Sequence, residues 1–171
     1  MRYFFVIFLC LTVSACGWQL RGVNQPMALD SVSLMGGESR SRLDIQDVLR
    51  SQGLLVINDA PVLIRLTNES WQRRTISVDR QGRASGIELR YQLYWQLTDR
   101  DKKPLTSRRQ VQVSRSYQVD PANAVAASDE DQLTREIMRR EAANVLARQL
   151  RAETEDMAFP EPATSSERVA Q

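Results

Sequence analysis

Histidine is absent from the 171-residue sequence, and cysteine and lysine each occur only twice. The lack of histidine removes the commonest general base and the commonest protein metal ligand. Since the only lysines are Lys102 and Lys103, the other 21 of the 23 basic residues are arginines. A composition of 42% apolar and 26% charged residues is typical of a globular protein and argues against a disordered chain or a multi-pass membrane protein. The length predicts one domain, and the missing histidine favours binding over catalysis.

The N-terminus has the organisation of an export signal. Arg2 precedes an apolar run over residues 3–13, which is too short for a transmembrane helix of roughly 20 residues. Val13-Ser14-Ala15-Cys16 resembles the bacterial lipobox, so we expect residues 1–15 to be a lipoprotein signal peptide and Cys16 to be lipidated. Several acyl chains on one residue anchor a protein stably, whereas a single chain holds it only marginally. An ordinary cleaved signal followed by a chance cysteine is the alternative.

Two consequences follow from this processing. Cys10 leaves with the signal peptide, so the mature chain has no thiol pair and must fold without a disulfide. Gly17, rather than an aspartate that would resemble an inner-membrane retention signal, follows Cys16. We therefore expect a protein of the outer membrane, held by its lipid anchor on the periplasmic side.

The C-terminal residues differ in composition from the rest of the chain. Residues 152–171 contain five acidic residues against one basic residue, are rich in Pro, Ser and Thr, and show no apolar period. They are predicted to form a disordered acidic tail. The predicted domain, residues 16–151, then contains 21 Lys and Arg against 16 Asp and Glu, a net charge of +5.

The domain begins with short elements. Alternation over Ser31–Met35 predicts a strand that ends at two glycines. Ser41-x-x-Asp44 resembles a capping box for a helix that ends at Gly53, and Leu54–Ile57 is a candidate short strand.

Three longer strands are predicted next, over Val62–Val78, Ile87–Thr98 and Arg109–Val119, with polar turns between them. One face of Ile87–Thr98 is apolar without a break. In Val62–Val78 the residues of one parity are apolar at both ends and polar in the middle, which is expected to lie beyond the packed core.

A second helix, capped by Ser128 and ending near Arg151, completes the domain. Leu133 and Ile137 lie at one edge of its predicted apolar stripe, which consists of Met138, Ala142, Val145, Leu146 and Leu150. The predicted fold class is α+β, a small and mainly antiparallel sheet with two helices packed on one face.

If the apolar sheet face packs under the helices, the opposite face is polar and almost uncharged. An open strand face usually carries more Lys and Glu, which also guard against association. A neutral, hydrogen-bonding face suits contact with another polar surface, such as the lumen of a β-barrel. A merely solvated face is the alternative. The candidate partner-interface residues are Gln92, Tyr94, Gln96, Gln110 and Gln112.

Positive charge is concentrated around the same strands. Residues 62–119 contain twelve Lys and Arg against five Asp and Glu. Arginine binds phosphate and carboxylate through a planar fork, so these residues are candidates for a polyanion site, although ordinary solvated turns would show the same pattern. Export makes nucleic acid an improbable ligand, and lipopolysaccharide (LPS) is the phosphate-rich polyanion of the outer membrane. The candidate LPS-binding residues are Arg73, Arg74, Arg80 and Arg83.

The residues after the lipobox, Cys16-Gly17-Trp18-Gln19-Leu20-Arg21-Gly22, resemble the start of mature members of the LPS-assembly lipoprotein family LptE (RlpB), which typically begin Cys-Gly-aromatic-x-Leu-Arg. The order of elements over residues 16–151 is similar as well. The resemblance implies an outer-membrane lipoprotein that plugs the β-barrel LptD, helps it fold and assists LPS insertion into the outer leaflet. It also implies a small sheet with two helices on one side.

A basic residue in the turn between the long central strands is implicated in LPS contact in that family. Arg80 matches this position, and Arg83 is adjacent. Some members also carry a lysine just before the last helix. Because residues 124–128 contain no base here, a second contact at that position is not expected.

Two other function classes remain open. A lipoprotein could scaffold an outer-membrane protein complex without binding LPS. An enzyme without histidine would need paired carboxylates or a Ser–Lys dyad, but Asp99, Asp101 and both lysines share one polar turn without the burial that tunes a catalytic pKa. We expect no enzymatic activity, no cofactor and no metal.

Overall fold

Two long antiparallel strands dominate the fold. The structure is a computed structural model and describes residues 29–157. The strands are β1 (Ser31–Gly36), β2 (Leu55–Val56), β3 (Val62–Val78), β4 (Ala84–Asp99) and β5 (Arg109–Gln118), and the helices are α1 (Ser39–Ser51) and α2 (Ala124–Asp156). The predicted α+β class and the predicted elements are confirmed.

The five strands form one sheet in the order β2-β1-β3-β4-β5. β3, β4 and β5 pair antiparallel through short connections, as the meander interpretation requires. β1 pairs parallel with both β2 and β3. A parallel pair needs a long crossover, and α1 supplies it between β1 and β2.

Both helices cover the same face of the sheet, and the core lies beneath them. Alternate residues of β4 are almost completely buried there, which confirms the predicted apolar face of this strand. Ile45 and Leu49 of α1 and Met138, Leu146 and Leu150 of α2 complete the core. The buried β4 residues are Ile87, Leu89, Tyr91, Leu93, Trp95 and Leu97.

A β-bulge at Asn68 divides β3. Thr67 lies opposite Tyr94 and Ser70 opposite Gln92, so β3 has one residue more than β4 between these pairs. Asn68 has a φ of 51°, the left-handed conformation that asparagine tolerates better than most residues. Because side chains alternate along a strand, the extra residue exchanges the two faces of β3. The residues of one parity therefore do not stay on one face from residue 62 to residue 78. Between residues 70 and 75 the odd-numbered residues face the helices, and further register shifts follow between Thr75 and Val78.

The predicted capping box at Ser41 is wrong. The N-cap of α1 is Glu38, three residues before Ser41, and the Glu38 side chain makes no capping bond. Instead, the Glu69 carboxylate accepts a hydrogen bond from the Glu38 backbone N–H at 2.6 Å and another from the Ser41 hydroxyl. A carboxylate at a helix N-terminus is favourable because it faces the positive end of the helix dipole. The cap therefore comes from β3, 31 residues along the chain.

The last helix is longer than predicted at both ends. Asn123, rather than Ser128, is the N-cap, and its side-chain oxygen accepts a hydrogen bond from the Ala126 N–H at 3.1 Å. Residues 124–128 are therefore the first turn of α2 and not a linker before it. Asparagine is among the best N-cap residues, and the alanines that follow it favour helix.

At its C-terminal end, α2 continues through residues 152–156, the first five residues of the predicted tail. Thr154 is buried in this extension. Glu153 forms an ion pair with Arg109 of β5, so contacts with the sheet extend the helix beyond its last apolar period. The predicted signal peptide, Cys16 and residues 158–171 of the predicted tail lie outside the described residues.

Candidate functional site

The turn between β3 and β4 is organised by one carboxylate. Asp79 Oδ1 accepts hydrogen bonds from the backbone N–H groups of Gln81 at 2.9 Å and Arg83 at 2.8 Å. Gly82 has a φ of 77°, a left-handed conformation that glycine adopts at no steric cost. We call residues 79–83 the hairpin tip. It presents the Arg80 side chain to solvent at the far end of the long hairpin.

Arg83 is held within the tip. Its Nε lies 2.8 Å from Asp79 Oδ2. Hydrogen bonds from the Arg83 backbone N–H, and further bonds from the Arg83 side chain and the Gln81 N–H, lower the pKa of Asp79. The carboxylate therefore stays ionised and partly neutralises Arg83. Arg80 forms no ion pair with another described residue.

Arg73 and Arg74 point to opposite faces of the sheet. Arg73 lies on the helix side, where its Nε is 3.6 Å from Asp131 of α2. Arg74 lies on the other side, where its guanidinium is 3.0 Å from Glu88 of β4. The four predicted LPS-binding arginines are therefore not brought together, and three of them have acidic partners.

Arg73 belongs to a polar cluster that joins the hairpin to α2. The Tyr117 hydroxyl donates a hydrogen bond of 2.7 Å to Asp131, and Arg135 Nε lies 2.5 Å from the same carboxyl group. Partial burial opposes ionisation of Asp131, but the bonds from Arg135 and Tyr117 outweigh it and lower the Asp131 pKa. Burial, followed by the bond to Asp131, raises the Tyr117 pKa. Arg135 also stacks 4.8 Å above the centre of the Trp71 ring.

The sheet face opposite the helices carries all five predicted partner-interface residues. Gln92 lies directly opposite Gln112, and Tyr94 opposite Gln110. Gln92 Nε2 donates a hydrogen bond to Gln112 Oε1 at 3.0 Å. In the described part of the chain, neither helix covers these side chains. We call this surface the open face, formed by the outward side chains of β3, β4 and β5.

Sequence reasoning missed a feature of the open face. Arg65 and Arg108 line a concavity of about 230 Å³ together with Thr67, Asn68 and Gln96. In the sequence, Arg65 lies between the apolar residues of β3 and Arg108 lies in the polar segment before β5, so no local pattern connects them. Their proximity depends on the register of β3 and β4, which composition does not reveal.

A second surface feature is a groove of about 890 Å³ between the outward sides of α1 and α2. It contains exposed Leu43, Leu133 and Ile137. Leu133 and Ile137 are predicted at the edge of the apolar stripe of α2, and both are exposed to solvent. Two arginines of the groove, Arg115 and Arg139, are paired with Glu141 and Asp44.

Within residues 29–157, no group of three or more Asp, Glu, Cys or His side chains is arranged so that it could hold a metal ion. In the same range, neither helix is long and apolar enough to span a membrane. The fold and its surfaces define a small α+β domain with a polar open face and an arginine at the tip of a long hairpin.

The particular family follows from comparison with known proteins. The family model described as LptE, lipopolysaccharide-assembly, matches residues 29–152. An LPS-assembly lipoprotein LptE from Photorhabdus laumondii is 30% identical over 149 residues, covering 82% of this chain and 79% of the relative. An LptE from Yersinia pestis is 31% identical over 150 residues, covering 82% of this chain and 70% of the relative. The chain belongs to the LptE family of LPS-assembly lipoproteins, which are assembly components and not enzymes.

Solved structures share the fold. A rare lipoprotein B from Shewanella oneidensis superposes with a TM-score of 0.60 at 26% identity, covering 74% of this chain and 96% of that one. A minor lipoprotein from Acinetobacter baumannii gives a TM-score of 0.66 at 21% identity, covering 75% of this chain and 95% of that one. The second likeness concerns the fold alone.

Proposed function

We propose that this chain is an outer-membrane lipoprotein, anchored through Cys16, that plugs the β-barrel LptD, helps it assemble, binds LPS and assists its insertion into the outer leaflet. Membership of the LPS-assembly family supports the pathway. The observation that carries the plug assignment is the open face. The part of it formed by Gln92, Gln112 and Tyr94 offers uncharged hydrogen-bond donors and acceptors, which suits a polar barrel wall.

Co-purification from detergent-solubilised outer membranes tests the plug. Replacing Gln92 and Gln112 together with glutamate places two like charges directly opposite each other on the open face, and we expect at least tenfold less LptD to be recovered. The matched control replaces Gln46 and Gln132, two glutamines on the helices, with glutamate. Recovery of the unmodified protein without any large barrel would contradict the proposal, and equal losses in both pairs would contradict the open face as the contact.

Arg80 is the proposed LPS contact because it is exposed at the hairpin tip and has no acidic partner among the described residues. Arg80→Asp should weaken LPS binding by the purified full chain roughly tenfold, the loss of a charge-assisted hydrogen bond of about 1.5 kcal/mol. Arg148→Asp, on the outward side of α2, should change binding less than twofold. Equal effects of the two variants would argue against a local site at the tip.

The second candidate function is a scaffold that supports an outer-membrane complex without binding LPS. The observation that favours it is that Arg73, Arg74 and Arg83 are each engaged by a carboxylate. Direct LPS binding by the purified protein separates the two functions. A protein that acts only as a scaffold would still co-purify with LptD but would show no binding to LPS.

A further inference from the structure

The concavity on the open face is built by groups from three parts of the chain. Arg65 and Thr67 come from β3, on the N-terminal side of the bulge, and Asn68 is the bulge residue itself. Gln96 lies directly opposite Arg65 on β4. Arg108 comes from the loop before β5. The bulge, the strand register and the loop before β5 therefore place two arginines at one polar depression.

The loop that carries Arg108 is held in place by contacts with β4. Gln96 Nε2 donates a hydrogen bond to the Thr106 carbonyl oxygen at 2.8 Å. The Leu97 N–H donates to the Thr106 hydroxyl oxygen at 3.1 Å. Arg108 itself stacks over Tyr94, with its guanidinium carbon 4.1 Å from the ring centre. Its position is thus set by packing before any ligand arrives, which lowers the entropic cost of binding.

The charge of this depression is not neutralised within the described part of the protein. Its lining contains two arginines and no acidic residue. No described carboxylate pairs with Arg65 or Arg108, whereas Arg73, Arg74 and Arg83 near the hairpin tip are all paired. Two guanidinium groups without counter-charges around one depression favour an anion as the occupant.

We infer that the Arg65–Arg108 concavity is a binding site for a phosphate group. A phosphate carries up to two negative charges, which match the two guanidinium forks, and the Thr67 hydroxyl and Asn68 amide can donate to its remaining oxygens. The depression is smaller than the ~300–1,000 Å³ of whole-ligand pockets, so it accepts a group rather than a complete small molecule.

Free phosphate and a phosphate carried by LPS share this chemistry. Binding of free phosphate does not depend on the proposed function, whereas binding of a phosphate of LPS rests on it. The two sources are therefore tested in separate arms.

The first arm is a titration of the isotope-labelled full chain, in detergent micelles, with inorganic phosphate. The readouts are the Nε–H signals of Arg65 and Arg108 and the side-chain amide signals of Asn68. We expect saturable shifts of all of these signals in the unmodified protein. In the double variant Arg65→Gln/Arg108→Gln, which lacks the arginine signals, the shifts of the Asn68 amide should be abolished. The matched control, Arg140→Gln/Arg148→Gln, removes the same charge from the outward side of α2 and should retain the shifts.

Sodium acetate at equal ionic strength tests a carboxylate ligand. The inference is overturned if phosphate causes no saturable shift, if the double variant shifts like the unmodified protein, or if acetate binds as tightly as phosphate. The last result would indicate that acidic side chains of a partner protein occupy the site.

The second arm compares intact LPS with dephosphorylated LPS. If LPS supplies the phosphate, the Arg65→Gln/Arg108→Gln variant should bind intact LPS at least tenfold more weakly than the unmodified protein does. The affinity of the Arg140→Gln/Arg148→Gln control for intact LPS should change less than twofold. Dephosphorylated LPS should bind equally to the double variant and the unmodified protein. Unchanged LPS affinity in the double variant would overturn LPS as the source. Failure of the unmodified protein to bind LPS, with phosphate shifts intact, would contradict the proposed LPS function and leave the phosphate site supported.

Discussion

The Tyr91 hydroxyl donates a hydrogen bond of 2.8 Å to the Glu69 carboxylate beneath the N-terminus of α1. Tyr91 is 1% exposed, and burial raises the pKa of its hydroxyl well above the ordinary value. The same carboxylate accepts bonds from the Glu38 N–H and the Ser41 hydroxyl. One acidic residue at the bulge therefore links the centre of the sheet to the start of the first helix.

Removal of this bond should destabilise the domain. We expect Tyr91→Phe to lower the free energy of unfolding by about 1.5–3 kcal/mol, the range for hydrogen bonds to charged groups. Urea denaturation followed by circular dichroism measures the change. Tyr94→Phe is the matched control, because its ring lies on the open face, and it should change stability by less than about 0.5 kcal/mol. A loss in Tyr91→Phe no greater than in the control would mean that the buried bond contributes nothing.

A comparison of two glycines with nearly the same φ distinguishes the cost of conformational strain from the cost of a steric clash. Gly36 has a φ of 83° and Gly53 a φ of 86°. A Cβ at Gly36 would clash with the Leu66 carbonyl oxygen of β3, whereas a Cβ at Gly53 would meet nothing within 4 Å. Gly53→Ala should cost about 1 kcal/mol from strain, and Gly36→Ala at least about 1 kcal/mol more, in urea denaturation. Equal costs would show that the β1–β3 contact adjusts without penalty.

The bulge residue should tolerate glycine but not a β-branched side chain. At a φ of 51°, valine is expected to cost about 1–2 kcal/mol relative to asparagine, while Asn68→Gly should be nearly neutral. Thermal and urea denaturation of both variants measure this. If Asn68→Val were as stable as the parent, the left-handed conformation could not be a constraint at this position.

Acid should remove the contribution of Asp131. Because the pKa of Asp131 is lower in the folded state than in the unfolded chain, its contribution to stability is present above the unfolded pKa of 3.8 and is lost as the pH falls through the folded value. The stability difference between the parent and Asp131→Asn should therefore be largest near neutral pH and shrink below pH ~4. Urea denaturation across pH 3–7 tests this.

The control for this pH dependence is Asp129→Asn, an exposed acid in the same region of α2. Asp129 forms no ion pair with a described residue, so a pH-dependent difference as large as that of Asp131→Asn would contradict a specific role of the Asp131 contacts. A difference for Asp131→Asn that did not depend on pH would mean that the ionised carboxylate is not what the Arg135 and Tyr117 contacts stabilise.

Short-range sequence patterns determined the elements of this protein. Unbroken alternation over residues 87–97 could only be a strand with one buried face, and its polar side identified Gln92, Tyr94 and Gln96 as outward residues. The apolar period of the last helix identified Met138 and Leu150 as core residues. These features follow from local periodicity, because side chains repeat every two residues in a strand and every 3.6 in a helix.

Tertiary structure alone decided how the elements and charges combine. The Asn68 bulge reverses the faces of β3, so Arg73 meets Asp131 while Arg74 meets Glu88, and neighbouring arginines that looked like one cluster are divided. Register and long-range pairing, which no local period encodes, bring Arg65 and Arg108 together and place Glu69 at the start of α1. The sequence alone determined which residues face inward or outward over unbroken stretches, and the packed sheet decided which charges remain available to a ligand.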